Sequence, residues 1–146
     1  MIHHPIIWLR RIRYRKGYGV HSPFAYAFLR DVVYETSHYY AYADIEKHLS
    51  GSWWQRMVER KKQRLLFRLR NWNGDRPFIL TSKWGSGIVA RLSPEAMLVL
   101  DHLQSNLPIW EMLKKDARTR VTFDLYDLGI ALFQPQLMKQ DYIVNW

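Results

Sequence analysis

Phe78–Asp101 reads FILTSKWGSGIVARLSPEAMLVLD, and its reading decides the fold. Phe78-Ile79-Leu80 and Met97-Leu98-Val99-Leu100 are short uncharged apolar runs bounded by turn residues. Such runs suit strands buried on both faces. Between them lie Gly85, Ser86 and Gly87, then a short helical stretch, Ile88–Leu92. The pattern is strand, glycine-bearing turn, helix, strand. In an open α/β sheet, ligands bind beyond the carboxyl ends of the strands, where the N–H groups of such a turn are free. If the chain has a small-molecule site, this turn is where it should lie.

Working outward, the preceding helix is the strongest helical signal. Ser52 and Gln55 make a capping box. Trp54, Met57, Val58, Leu65, Leu66 and Leu69 then recur near 3.6 residues. Arg56, Arg60, Lys61, Lys62, Arg64, Arg68 and Arg70 cover much of the rest. Asn73-Gly74-Asp75 turns the chain into the first strand. Upstream, Ser22 and Pro23 open a helix striped by Phe24, Ala27, Phe28 and Val32, with Ala25, Leu29 and Val33 beside them. His21 at its entry is read as structural. Tyr39–Tyr42 is expected to pack a helix corner before a short helix at Asp44–Leu49. A helix from Pro5 would put Trp8, Leu9 and Ile12 on one face, packed onto the domain's own surface, with most arginines opposite. His3 and His4 lack a third ligand and are read as unstructured.

Downstream, Ser105 or Asn106 caps a helix to about Lys115, with Pro108 in its first turn and Ile109, Trp110 and Leu113 facing the sheet. Val121–Leu125, Gly129–Phe133 and Tyr142–Val144 read as strands, the first two as a hairpin. Asp124 and Asp127 flank that hairpin turn as turn formers rather than an acid/base pair.

The chain has 146 residues and 48% hydrophobic content, enough for one domain with a core. It has no cysteine, which excludes disulfides and a thiol nucleophile. No run reaches the roughly 20 apolar residues of a membrane span, and no signal peptide is legible. A cytoplasmic protein is the expectation. There is no GxSxG elbow, P-loop or HExxH, and no metal site is expected. Residues 1–70 carry 14 Lys and Arg against 5 Asp and Glu, whereas residues 71–146 carry 8 of each. The first half therefore invites an anionic partner, nucleic acid or a membrane surface. Arg10, Arg11, Arg13, Arg15, Lys16, Arg60, Lys61 and Arg64 are the candidate nucleic-acid contacts, with Tyr39, Tyr40, Trp53 and Trp54 for stacking.

Gly19-Val20-His21-Ser22-Pro23-Phe24, Tyr39-Tyr40-Ala41-Tyr42, Leu65–Leu69, Met97–Asp101, Ser105–Trp110 and Val121–Phe133 occur in this order. Together they resemble a Bacteroidetes-type group of class I S-adenosylmethionine (SAM)-dependent methyltransferase-like proteins, which carry an HSPF-type N-terminal extension. The resemblance covers most of the chain at both ends. It implies a Rossmann-like sheet and a SAM site. The cofactor contacts would be Gly85, Gly87 and Asp101, with Asp101 or His102 as base or substrate contact. The middle departs from the family. No carboxylate follows the first strand, where Lys83 stands instead. Only the 16 residues Thr81–Ala96 separate Leu80 from Met97, and each further crossover takes roughly 30, so the family's intervening strand–helix units do not fit and its ribose-binding strand is expected to be absent.

The expected fold is α/β: a basic helical region, 1–74, then a contracted Rossmann-like sheet, 75–146, with a C-terminal antiparallel hairpin, the two forming one compact unit. The first core strand should lie at an open edge, which the N-terminal helices or a second subunit in a homodimer would cover. The expected function is a degenerate methyltransferase-like binding module without methyl transfer. An active SAM-dependent methyltransferase with a reduced site and a basic RNA-binding protein are the alternatives.

Overall fold

The computed structural model describes residues 5–15, 17 and 19–146. The readings of His3, His4 and Lys16 lie outside these. Helix α1 is Pro5–Arg10, followed by a 3-10 turn at Ile12–Tyr14. Helix α2, Pro23–Phe28, starts where Ser22 Oγ accepts from Ala25 N. It widens into a π-turn at Leu29–Val33, a feature that the apolar stripe does not announce. Helix α3 is Ala41–Lys47 and α4 is Trp53–Asn73. The capping box of α4 is present in both directions: Gln55 N donates to Ser52 Oγ, and Ser52 N to Gln55 Oε1. Gly74 ends the helix at φ 62, a conformation that favours glycine.

The second half builds the sheet. Strands β1 (Phe78–Thr81), β2 (Met97–Asp101), β3 (Val121–Asp124), β4 (Leu128–Leu132) and β5 (Gln140–Ile143) lie in the order β1-β2-β4-β3-β5. Helix α5 (Ser86–Arg91) links β1 to β2, and α6 (Leu107–Lys115) links β2 to β3. β1 and β2 are parallel, with Phe78 opposite Met97, as the quoted stretch predicts. β4 runs against both β2 and β3, while β3 and β5 are parallel. The hairpin thus inserts one reversed strand among four that run together. The class is α/β with a mixed sheet. The last strand begins two residues earlier than the expected Tyr142–Val144.

Both faces of the sheet are covered. On one, Met97, Val99, Phe123 and Ile130 meet Phe28, Leu65 and Leu69 from the π-turn region and α4. Phe28 stacks on Phe123 at 4.9 Å and meets Trp72 edge-on at 4.9 Å. On the other, Leu98, Leu100 and Ala131 meet Trp110 and Leu113 of α6, with Ile88 and Leu92 alongside. Gly129 is required here: a Cβ would come within 2.6 Å of the Trp110 ring. One core therefore spans both regions of the chain. Among the described residues β1 pairs only with β2 and leaves Leu80 exposed, the open edge expected of the first core strand. At the opposite edge, Arg15 bridges Asn145 in parallel, so the segment after α1 laps onto the chain beyond β5.

Asp124 is a turn former, as its spacing predicts. Its Oδ1 accepts from Tyr126 N, and Tyr126 takes a left-handed φ of 77. The Tyr39–Tyr42 corner also behaves as read: both rings pack edge-on against Phe67, at 5.4 and 5.7 Å.

Candidate anion-binding cleft

The glycine turn leads to a closed position. Gly85 is extended, at φ −168, and precedes a helix of six residues. A Cβ at Gly85 or Gly87 would meet nothing within 4 Å, so neither close packing nor a left-handed φ demands glycine there. Asp101, at the carboxyl end of β2, has both oxygens engaged. Lys62 Nζ of α4 lies 2.6 Å from Oδ2, and His102 N donates to Oδ1 at 2.8 Å. His102 is left-handed at φ 52, with an exposed ring whose Nε2 is 3.9 Å from Asp101 Oδ2. Asn106, the expected cap of α6, makes no side-chain cap and instead donates to the carbonyls of Asp101 and His102. The partner of Asp101, expected as a cofactor contact, is thus a lysine of the same chain, held in a largely buried ion pair.

The large concavity lies elsewhere, between α1, the α2–π-turn segment, α4 and the C-terminal residues. Its volume is about 1000 Å³, at the upper end of ligand sites. Trp54, Met57, Val58, Arg60, Lys61, Arg64 and Arg68 line it from α4. Arg15, Arg30, Arg60, Lys61, Arg64 and Arg68 bring six cationic side chains to its walls, against one acidic side chain, Glu35, among the described residues.

Not all of these charges are free. Arg60 and Arg64 share Glu46, at 2.6 and 3.0 Å. The Glu46 carboxyl is lowered from its ordinary value, first by Arg60. Arg30 forks onto Asp31. Arg68 is buried and structural: its Nε donates to Val32 O at 2.7 Å, NH2 to Val33 O at 3.1 Å, and NH1 to Tyr42 Oη at 3.0 Å. It satisfies carbonyls left open where the π-turn ends. Trp146 Nε1 also donates to Val33 O.

Among the described residues, no carboxylate lies within ion-pair distance of Arg15, Lys61 or Arg68. Lys61 Nζ stands 4.5 Å from the centre of the Trp146 ring, and Arg15 lies over Trp8 at 5.7 Å. Desolvation, and then repulsion from Arg68, lowers the Lys61 ammonium from its ordinary value, although the residue remains exposed as a whole. Asn145, between Arg15's bridge and Trp146, is buried. Its Nδ2 donates to Trp8 O at 3.4 Å, but its Oδ1 has no donor among the described residues.

Of the eight basic candidates from sequence, Arg15, Arg60, Lys61 and Arg64 meet in this cleft. Arg10 and Arg13 are exposed and do not line it. Arg11 is committed elsewhere, paired with Asp124 at 2.9 Å under the Tyr126 ring. Trp54 lines the cleft, whereas Tyr39, Tyr40 and Trp53 do not. Sequence reading missed Trp8, Arg30, Asn145 and Trp146 because they reach the cleft from distant segments. Arg68 was legible only as one of many basic residues, with no signal that it would be buried. The packing expected of α1 is corrected: Leu9 and Ile12 are exposed, as is Ile6, and only Trp8 of the named face turns inward. Six residues of helix are too short to carry a continuous apolar stripe.

Comparison with family models, curated proteins and solved structures returned no match. Among the described residues no cluster of His, Asp and Glu could hold a metal ion, and no helix is long and apolar enough to cross a membrane.

Proposed function

We propose that the chain is a methyltransferase-like binding module without methyl transfer, and that its ligand is an RNA strand held in the cleft between α1 and α4. The observation that carries this is a contrast of charges. Among the described residues Lys61 and Arg15 stand in a roomy cleft with no carboxylate partner, whereas Asp101 is neutralised by Lys62. Cations among aromatic side chains are what a single strand uses, its phosphates taking the charge; here Lys61 and Arg15 stand beside the rings of Trp146 and Trp8. Salt-screened attraction to phosphate supplies most of such affinity.

Two titrations test the reading. Calorimetry with SAM should give no heat at millimolar cofactor. Binding of a fluorescein-labelled single-stranded RNA, followed by anisotropy, should weaken at least ~10-fold between 50 and 200 mM salt. Heat from SAM at micromolar concentration would return the reduced methyltransferase. RNA affinity that is absent, or indifferent to salt, would end the RNA reading.

A further inference from the structure

Helix α1 has an inner and an outer side. The inner side is pinned to the sheet edge. Arg11 pairs with Asp124, and Asn145 donates to Trp8 O through Nδ2 and to Tyr14 O through its backbone N–H. The outer side carries Ile6 and Leu9, 55% and 59% exposed. Arg10 shares that side, four residues on from Ile6. Ile12, 48% exposed, and Arg13 follow in the 3-10 turn. None of these five residues lines the cleft.

A lone aliphatic residue at a surface is ordinary. Three between positions 6 and 12, interleaved with exposed arginines, are used neither by the core nor by the cleft. Chemistry separates the occupants. A nucleic-acid strand stacks its bases on π-faces, which isoleucine and leucine lack. A second copy of this face would set arginine against arginine. Residues 1–30 hold six Lys and Arg and no Asp or Glu, and among the described residues neither Arg10 nor Arg13 has a carboxylate partner. Like charges brought face to face oppose that pairing. An anionic bilayer takes both kinds of group at once. Its headgroup–acyl boundary receives the aliphatic side chains, its surface charge receives the guanidinium groups, and the arginine stems span the two levels. The inner contacts hold the outer side in place, so docking orders little further.

We propose that the outer side of α1 and its 3-10 turn seats the chain on an anionic membrane surface. Ile6, Leu9 and Ile12 enter the headgroup–acyl boundary, and Arg10 and Arg13 meet the anionic headgroups. This site is separate from the cleft and does not rest on the RNA reading.

Vesicle flotation with the full chain at low salt tests it. The parent should float with phosphatidylcholine vesicles that contain roughly one-third phosphatidylserine. It should bind phosphatidylcholine alone at least ~10-fold more weakly, since each basic side chain near an anionic surface adds roughly fivefold. The triple variant Ile6→Ser, Leu9→Ser, Ile12→Ser should lose at least ~10-fold on the anionic vesicles, through the apolar area it no longer buries. The pair Arg10→Gln, Arg13→Gln should lose ~10-fold or more as well. All five positions are exposed, so the urea midpoint of each variant should match the parent's. If the triple variant's midpoint falls, the glutamine pair and the neutral vesicles decide. Lys61→Met, in the cleft, should leave flotation unchanged.

A parent that does not float overturns the proposal. So does flotation that survives the triple change, or that Lys61→Met abolishes, which would make the vesicle another ligand of the cleft. A triple variant that loses RNA affinity in step with flotation would assign this side of α1 to nucleic acid instead. A dimer in sedimentation that disappears in the triple variant, with no flotation by the parent, would assign it to a second copy.

Discussion

The two faces of the one sheet are covered in different ways. Helix α6 is placed by apolar shape: Trp110, 1% exposed, fills the space that Gly129 leaves open on β4. The α2–α4 side has an apolar centre too, but its rim is placed by cations. Arg68 ties α4 to the π-turn, Lys62 ties α4 to β2, and Arg11 ties the segment after α1 to the β3–β4 turn. The difference teaches where a ligand can enter. A face packed by shape closes around its own side chains. A face packed by long charged side chains leaves room between their stems, and the cleft of about 1000 Å³ lies on that side.

The comparison can be broken first at Trp110. Trp110→Ala should cost about 3–5 kcal/mol in urea unfolding, since it empties a fully buried site. Gly129→Ala should cost about 1–3 kcal/mol by forcing a methyl into the same ring. In the double variant the two costs should not add, because removing the indole removes the clash. Simple additivity would mean that α6 is not seated by this contact.

On the other face, Arg68→Met keeps the aliphatic stem and removes the guanidinium. Val32 O and Tyr42 Oη then lose their donor, while Val33 O keeps Trp146 Nε1. About 2–3 kcal/mol of destabilisation is expected, at the level of orphaned buried acceptors. A neutral or stabilising effect would show that Arg68 belongs with the ligand rather than the fold. Lys62→Met should cost less, about 1 kcal/mol, because Lys62 and Asp101 are each nearly a fifth exposed. That cost should shrink in 1 M salt, and the variant should gain no SAM binding. Gain of SAM binding would mean that Lys62 alone closes the site expected at Gly85, Gly87 and Asp101.

β1, β2 and β4 were legible because each is a short apolar run with turn residues at both ends, whereas the polar start of β5, Gln140-Asp141, hid its first two residues. Met97–Asp101 came out with its bounds intact, and its parallel pairing with β1 followed from the linking helix. The α4 cap was legible because Ser52 and Gln55 carry it locally. The cleft was only half legible. Arg60, Lys61 and Arg64 stood out as charge, but charge density cannot separate a solvated arginine from one buried like Arg68. Nor can it show that Arg11 would find Asp124, 113 residues away. The glycine turn misled for the opposite reason. Its local chemistry suited a phosphate or cofactor turn, while the residue that occupies Asp101 comes from a different helix.

The smallest effect concerns a charge on the shape-packed side. Asp116, just after α6, forks onto Arg118, with NH2 2.7 Å from Oδ2 and Nε 3.1 Å from Oδ1. That pairing, with the Arg118 N–H on Oδ1, holds its carboxyl at about 2 against an ordinary 3.8. A depressed carboxyl stabilises the fold above its unfolded value and loses that contribution as protons bind. The contribution is therefore complete above about pH 5, fades between about pH 4 and 2, and is gone below. Arg118 is more than half exposed, so solvent screening keeps the effect below about 1 kcal/mol. Asp116→Asn should be slightly less stable than the parent at pH 6, and the two should converge by pH 2. A gap that persists at pH 2 would mean that Asp116 acts through its hydrogen bonds to the turn, not its charge.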